Sequence, residues 1–302
     1  MTLQQLKYVI TVAAKGTISE AAKALFITQP SLTAAIKDLE AEFGIAIFNR
    51  TNKGVTPTPE GEEFLGYARQ IMEHTNLLEE RYGGKQAGKH LFCVSAQHYS
   101  FVVEAFVDLL HACGGDEYDF RIRETQTYEI IEDVARLRSE IGVLYLNQFN
   151  EAVIRKELQN HELVFTPLFT AKPHVFVSTA NPLAAKDAVS LEDLAPYPRL
   201  SYEQGAHNAF YFSEEILSTR ESKKDIVVRD RATLFNLLIG LNGYTICSGV
   251  ISQALNGANI VSVPLLVDDS MEIGYITRSR ILPSPLAKQY IEVLRRRTSG
   301  MA

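Results

Sequence analysis

The 302-residue chain is 46% hydrophobic, enough to bury substantial cores in two or three domains, and its formal charge is −6 at neutral pH. That balance excludes a protein basic throughout but not a small basic module on an acidic body. Residues 1–57 hold six Lys/Arg against four Asp/Glu, leaving a net −8 on the rest. There is no apolar run long enough to cross a bilayer and no N-terminal apolar run with a cleavage site, so no membrane partner is expected. Cys93, Cys113 and Cys247 are scattered, with no CxxC pair or metal-ligand spacing. A reducing cytoplasm, no metal and no cofactor are the expectation.

Leu3, Leu6, Val9, Ile10 and Ala13 recur at helical spacing, giving a first amphipathic helix that Gly16 closes. Thr17-Ile18-Ser19-Glu20 reads as a capping box for a short second helix through Ala21, Ala22 and Leu25. Thr28 caps a third helix, with Pro30 tolerated in its first turn, where a missing N–H costs nothing. Leu32, Ala35, Ile36, Leu39 and Phe43 form its inner stripe, and Gly44 ends it. Its outer face is small and polar where it emerges: Gln29, Ser31, Thr33 and Ala34, with a single Lys37.

That is the arrangement of a helix-turn-helix, whose second helix must present side chains that neither clash with base edges nor repel phosphates. Gln29 matches adenine edges, Ser31 and Thr33 reach bases or phosphates, and Ala34 suits a thymine methyl. Periodicity alone also describes a three-helix core whose exposed face happens to be small. Ile45-Ala46-Ile47-Phe48 then reads as a short strand, Asn49 to Gly54 as a turn carrying Arg50 and Lys53, and Val55-Thr56 as a returning strand. A basic hairpin after such a helix looks like a wing that touches phosphates.

The stretch AAKALFITQPSLTAAIKDLEAEFGIAIFNRTNKGVTPTPEG is very similar to the N-terminal domain of the LysR-type transcriptional regulators. Ala21-Ala22, Leu25, Thr28-Gln29-Pro30, Thr33, Ile36-Lys37, Leu39-Glu40, Gly44, Ile47-Phe48, Arg50, Thr58 and Gly61 carry that family's pattern at matching spacing. The resemblance implies a winged helix-turn-helix over residues 1–57. Thr28, Gln29, Pro30, Ser31, Thr33 and Lys37 would face double-stranded operator DNA, with Arg50 and Lys53 on the wing. Leu39 and Phe48 would be core.

Thr58-Pro59-Glu60 starts a connector helix, expected over residues 58–88. Phe64, Ala68, Ile71, Thr75, Leu78 and Tyr82 repeat at steps of four and three, a heptad seam that runs to Gly83-Gly84. The seam serves either packing on its own domain or pairing with a second copy. The family resemblance favours pairing, as a homodimer and further as a homotetramer.

After Gly88 the pattern alternates strands and helices. Leu91 to Val94, Phe120 to Arg123 and Ile141 to Leu146 read as strands, with helices through Val102–Leu110 and Ile130–Leu137 between them. The order implies a mainly parallel α/β sheet. A second such unit runs from about residue 166, with strands over 174–178, 226–229 and 244–247 and helices near 208–218 and 231–241. A strand over 271–277 and a helix over 285–297 close the chain. By resemblance this is the family's effector domain, residues 89–302, two α/β lobes like those of periplasmic binding proteins. Lobe I would take about 89–165 and 267–302, lobe II about 166–266.

Open α/β sheets bind ligands beyond the carboxyl ends of their strands, where helix N-termini attract anions. Those ends hold Gln97, His98 and Ser100, then Thr125, then Tyr202, then Ser248. The family's Ser/Thr contacts point first to Ser100 and Thr125. The effector itself is not readable from the residues.

The competing reading is an enzyme that turns over a small molecule in the lobe cleft. No G-x-S-x-G elbow, phosphate loop, dinucleotide fingerprint or H-E-x-x-H motif supports it. The adjacent carboxylates Glu214-Glu215 and Asp268-Asp269 read as solvated surface charge. The expectation is therefore a non-enzymatic regulator of α/β multidomain build. Its partners would be DNA, a small-molecule effector, further copies of itself and RNA polymerase.

Overall fold

The computed structural model describes residues 1–51, 54–82, 90–113, 118–205 and 209–300. They form two compact bodies, the first consisting of residues 1–92 with short stretches near 115–120 and 136–138.

In the first body, α1 (Leu3–Lys15) begins with a full capping box: Thr2 accepts from the Gln5 N–H while the Gln5 side chain reaches back. Gly16 ends it at φ 68°, left-handed backbone that a side chain would strain. The second helix, α2 (Ile18–Ala24), is capped by Thr17, which accepts from the Glu20 N–H at 3.2 Å. Only that half of the expected box forms there, because the Glu20 carboxylate turns outward to Lys23 at 2.8 Å. Helix α3 (Gln29–Phe43) runs from Thr28 to Gly44. Leu32, Ile36 and Leu39 are buried as expected, whereas Phe43 sits at the rim, edge-on to Phe64 at 5.3 Å.

The hairpin follows: β1 (Phe48–Thr51) pairs antiparallel with β2 (Gly54–Pro57), Phe48 opposite Pro57. Strand pairing starts three residues later than the sequence suggests, so Arg50 lies on the strand rather than in the turn. Ile47 is nevertheless fully buried. Val9, Val12, Ile18, Ala21, Ala22, Leu32, Ile36, Leu39, Ile47, Phe48, Val55 and Leu65 make one continuous core. Leu65 belongs to α4 (Pro59–Tyr82), so the connector's first turns are part of this core. Thr58 fixes the junction: its hydroxyl accepts from the Gly61 N–H at 2.8 Å and donates to the Ala46 carbonyl. Gly61 is required there, since a Cβ would stand 1.9 Å from the Ile47 carbonyl oxygen. The side chains of Leu78 and Tyr82, and the glycines at 83, 84 and 88, lie outside the described residues.

Two five-stranded sheets follow, in the second body save for residues 90–92 and 118–120. The first takes β3 (His90–Ala96), β4 (Tyr118–Glu124), β5 (Ile141–Leu146), β6 (Leu163–Ala171) and β12 (Met271–Arg278) in the order β4-β3-β5-β12-β6. Helices α5 (Ser100–Cys113), α6 (Thr127–Ala135), α7 (Glu151–Asn160) and α11 (Pro285–Thr298) accompany it. The second sheet takes β7 (His174–Ser178), β8 (Arg199–Tyr202), β9 (Asp225–Val228), β10 (Tyr244–Cys247) and β11 (Ile260–Pro264) in the order β11-β7-β10-β8-β9. Between these strands lie α8 (Leu191–Leu194), α9 (Arg231–Leu241) and α10 (Gln253–Asn256).

Three sequence expectations change. The sheets are mixed: β3–β5, β10–β8 and β8–β9 are parallel, but β12 runs antiparallel to β5 and β6, and β7 to β10 and β11. The chain passes between sheets at Lys172-Pro173, because β6 stays paired with β12 as far as Ala171 rather than leaving near 165. Finally, the helix expected near 208–218 is only a 3-10 turn at Phe210–Phe212, and the chain beyond it turns inward.

Candidate functional site

Two sites emerge, one in each body. In the first, the α3 N-terminus leaves Thr28, Gln29, Pro30, Ser31, Ala34 and Lys37 exposed and Thr33 half-buried. The Thr28 and Ser31 hydroxyls stand 2.8 Å apart, and Thr28 also accepts the Ser31 N–H. These two side chains therefore cap the helix first. The side chains of Gln29, Lys37 and the exposed Arg50 make no hydrogen bond or ion pair to another described residue, so their polar ends are available to a ligand. Phe26, 95% exposed in the turn before α3, adds an apolar side chain that sequence reasoning did not single out. Lys53 lies outside the described residues.

The second site is a cleft of about 530 Å³, open mouth included, in the second body. Of the six residues expected there, His98, Ser100, Tyr202 and Ser248 line it. Ser100 opens α5 and its hydroxyl accepts the Ser252 N–H at 3.1 Å. Gln97 does not reach the cleft. Its buried amide donates to the Thr127 hydroxyl at 2.6 Å, and its oxygen accepts from the Tyr145 N–H and the Tyr99 hydroxyl. Thr125 also lies outside, its hydroxyl donating to Glu129. Both are spent on local structure.

What the sequence missed is the charge. Glu214 and Glu215, expected as solvated surface carboxylates, are 8% and 6% exposed and line the cleft. They follow the 3-10 turn, where no regular helix carries them to the surface, and only contacts distant in sequence turn them inward. The His98 Nδ1 stands 2.9 and 3.0 Å from the two Glu214 oxygens, and the His98 backbone N–H donates to the same carboxylate at 3.0 Å. The His98 ring stacks on Tyr202 at 3.8 Å, nearly parallel to it. Burial pulls the imidazole pKa down, but the charge and hydrogen bond of Glu214 outweigh it, and the net shift is upward.

Glu215 has less help. The Tyr202 N–H donates to its Oε1 at 2.9 Å, while Oε2 is buried without a partner. Burial first, and then the neighbouring Glu214 charge, push this carboxyl up to about 8. Arg231, the first residue of α9, pairs with Glu124 but leaves a buried Nε unpaired. Burial raises the Glu124 carboxyl, against the pull of Arg231. Phe176, Leu234, Phe235, Ile251 and Met271 supply apolar wall, and the Thr245 and Ser248 hydroxyls are neutral polar points within it. Among the described residues no group of His, Cys, Asp or Glu is placed to hold a metal ion, and no helix is long and apolar enough to cross a membrane.

Residues 3–62 match the model of the bacterial regulatory helix-turn-helix protein, lysR family, and residues 115–299 match the LysR substrate binding domain. The chain is 24% identical over 302 residues to the uncharacterized HTH-type transcriptional regulator YbhD of Escherichia coli K12, covering 97% of this chain and 90% of that protein. It is 26% identical over 245 residues to the HTH-type transcriptional regulator AlsR of Bacillus subtilis 168, covering 80% and 77%. Among solved structures, a full-length OxyR variant of Pseudomonas aeruginosa superposes with a TM-score of 0.64 at 23% identity, over 100% of this chain and 96% of that one. That likeness extends the fold match to both bodies.

Proposed function

The chain belongs to the LysR family of bacterial helix-turn-helix regulators, and from that premise we propose how its own residues divide the work. It is a DNA-binding transcriptional regulator with an effector-binding domain, not an enzyme. The observation that carries the DNA reading is the α3 N-terminus, exposed, small and uncharged except for Lys37, with Gln29 and Lys37 free of partners within the described chain. In our reading Gln29 and Thr33 meet base edges in the major groove, Ser31 and Lys37 meet phosphates, and Arg50 serves the backbone from the hairpin. His98, Ser100, Tyr202 and Ser248, together with Glu215 and Arg231, form the effector contacts.

One small module seldom specifies a site alone, so two copies would pair through α4 and place two α3 helices on half-sites at a fixed separation. Exposed Tyr67 and Ile71 on α4 support that role. A tetramer, contact with RNA polymerase at the promoter and a cytoplasmic location complete the proposal. Run-off transcription with purified polymerase checks the polymerase contact, which an unaltered transcript yield would remove.

The deciding experiment is binding of the purified chain to DNA from upstream of its own gene, against shuffled DNA, at near-physiological salt. A strong preference for the upstream fragment is expected. If genome-wide selection also recovers no preferred site, the base-reading role assigned to α3 is wrong.

A further inference from the structure

The charges on the cleft wall already have their counter-charges within the protein. Glu214 is held by His98 at 2.9 Å, and Arg231 is held by Glu124. Glu215 accepts the Tyr202 N–H, and with its carboxyl pushed up to about 8 it is uncharged at neutral pH. The polar groups left open on the wall are neutral. Thr245 and Ser248 line the cleft, are 4% and 5% exposed, and give their hydroxyls to no other described residue. Neither oxygen is sealed off, unlike Glu215 Oε2 and Arg231 Nε. Around them Phe176, Phe235, Ile251 and Met271 make the wall apolar, with the two phenyl rings edge to face at 6.3 Å.

Resting on the reading of this cleft as the effector site, we infer that the effector is a small uncharged molecule with an apolar body and a hydroxyl or carbonyl end. The polar end meets the Thr245 or the Ser248 hydroxyl, and the body lies against Phe176, Phe235, Ile251 and Met271. An anion would find Arg231 already neutralised and the Glu214 carboxylate on the same wall. A cation would find Glu214 already taken by His98 and Glu215 without charge. Either ion would give up its hydration for groups that are already paired. A neutral ligand gives up little and gains the apolar wall, and a Ser or Thr hydroxyl donates or accepts as its polar end requires.

Calorimetric titration of the full-length protein at neutral pH with matched compounds tests this. Benzyl, phenethyl and cyclohexylmethyl frameworks are each offered as the alcohol, the amine and the carboxylate. The tightest binder should be an alcohol, by about tenfold or more over the amine and the carboxylate of its own framework, since each of those must desolvate an uncompensated charge. A smaller margin, a charged compound as the tightest binder, or no alcohol binding overturns the uncharged assignment. Thr245→Val and Ser248→Ala each remove one hydroxyl at nearly constant shape, and at least one of them should weaken the best alcohol by about fivefold. Melting curves confirm that both variants are folded, and the wild-type ranking stands as evidence without them.

Ser248→Trp, which fills the cleft, separates this failure from failure of the underlying reading. A charged compound that binds tightest and is lost in Ser248→Trp keeps the cleft as the effector site and removes only the uncharged assignment. Alcohol binding that survives Ser248→Trp places the ligand elsewhere and removes both.

Discussion

At the scale of single residues, the buried Glu215 carboxyl ties stability to pH. The groups facing it are Glu214, Arg199, Tyr202, Tyr145, Tyr99 and Cys247. Of these only Arg199 carries positive charge, and it is tied to Asp225 at 2.9 Å. With its folded pKa raised to about 8 from the ordinary 4.5, Glu215 keeps a proton in the folded state that the unfolded chain has already released. Stability is therefore fully present below about pH 4.5 and falls as pH rises towards 8. His98, also raised, adds stability below its ordinary range that is lost as pH climbs through its folded value, so both groups act in one direction. Glu215→Gln should remove its share of this fall, on the order of 3 kcal/mol between pH 5 and 8. Urea denaturation of wild type and variant across that range measures it, and parallel curves would mean that Glu215 ionises freely in the folded protein. None of this was legible from sequence. A Glu-Glu pair ahead of Ile216 carries no local sign of burial, because the groups that bury it, Tyr202 and His98 among them, are distant along the chain.

At the scale of elements, legibility followed the range of the interactions that form each one. Helix α3 is specified by neighbours: Thr28, Pro30 and Gly44 bracket it, and Leu32, Ile36 and Leu39 recur on one face. Its bounds were readable because a cap acts within one turn. Strand direction was not, since the antiparallel partnership of β12 with β5 and β6 joins residues far apart along the chain, such as Met271 with Ala171 and Glu272 with Leu146. The junction into α4 lies between these cases. Gly61 fell within a recognisable motif, but only the structure shows the Ile47 carbonyl 1.9 Å from where its Cβ would be. Gly61→Ala should therefore push α4 from the hairpin and cost on the order of 3 kcal/mol, read as a lower melting temperature. An unchanged melting temperature would mean that the junction yields freely. The exposed face of α3 makes a different prediction. Gln29→Ala should lower discrimination for the correct site by about 1–3 kcal/mol while leaving binding to random DNA alone. Arg50→Ala should weaken both and flatten the salt dependence. Competition binding at several salt concentrations separates the two, and equal losses from Gln29→Ala on both DNAs would end its base-reading role.

At the scale of the whole molecule, the question is which part of the α4 seam remains for a second copy. Phe64 packs on the core of the first body and Ala68 is 1% exposed, so the seam's first half is already used within the chain. Tyr67 and Ile71, 39% and 37% exposed, are one turn apart on the outer side, and Thr75 returns its hydroxyl to the Ile71 carbonyl at 2.8 Å. The sequence presented one continuous heptad stripe, and period alone could not divide it between an internal and an external partner. On the proposed pairing, Tyr67 and Ile71 are the described part of α4 that a second copy would meet. Ile71→Asp would put like charges together across a two-fold axis, where each copy meets its own mutation. Self-association should weaken by about tenfold or more, equivalent to roughly 1.4 kcal/mol. The first body, whose core does not include Ile71, should keep its melting temperature. On the proposed reading of two half-sites by one dimer, DNA affinity should fall with protein dilution more steeply in the variant than in wild type. Sedimentation velocity and DNA titration over the same concentrations test both effects together. A variant that stays dimeric would move the pairing surface off this stretch of α4, while one that turns monomeric yet binds operator DNA undiminished would show that a single copy suffices to read the site.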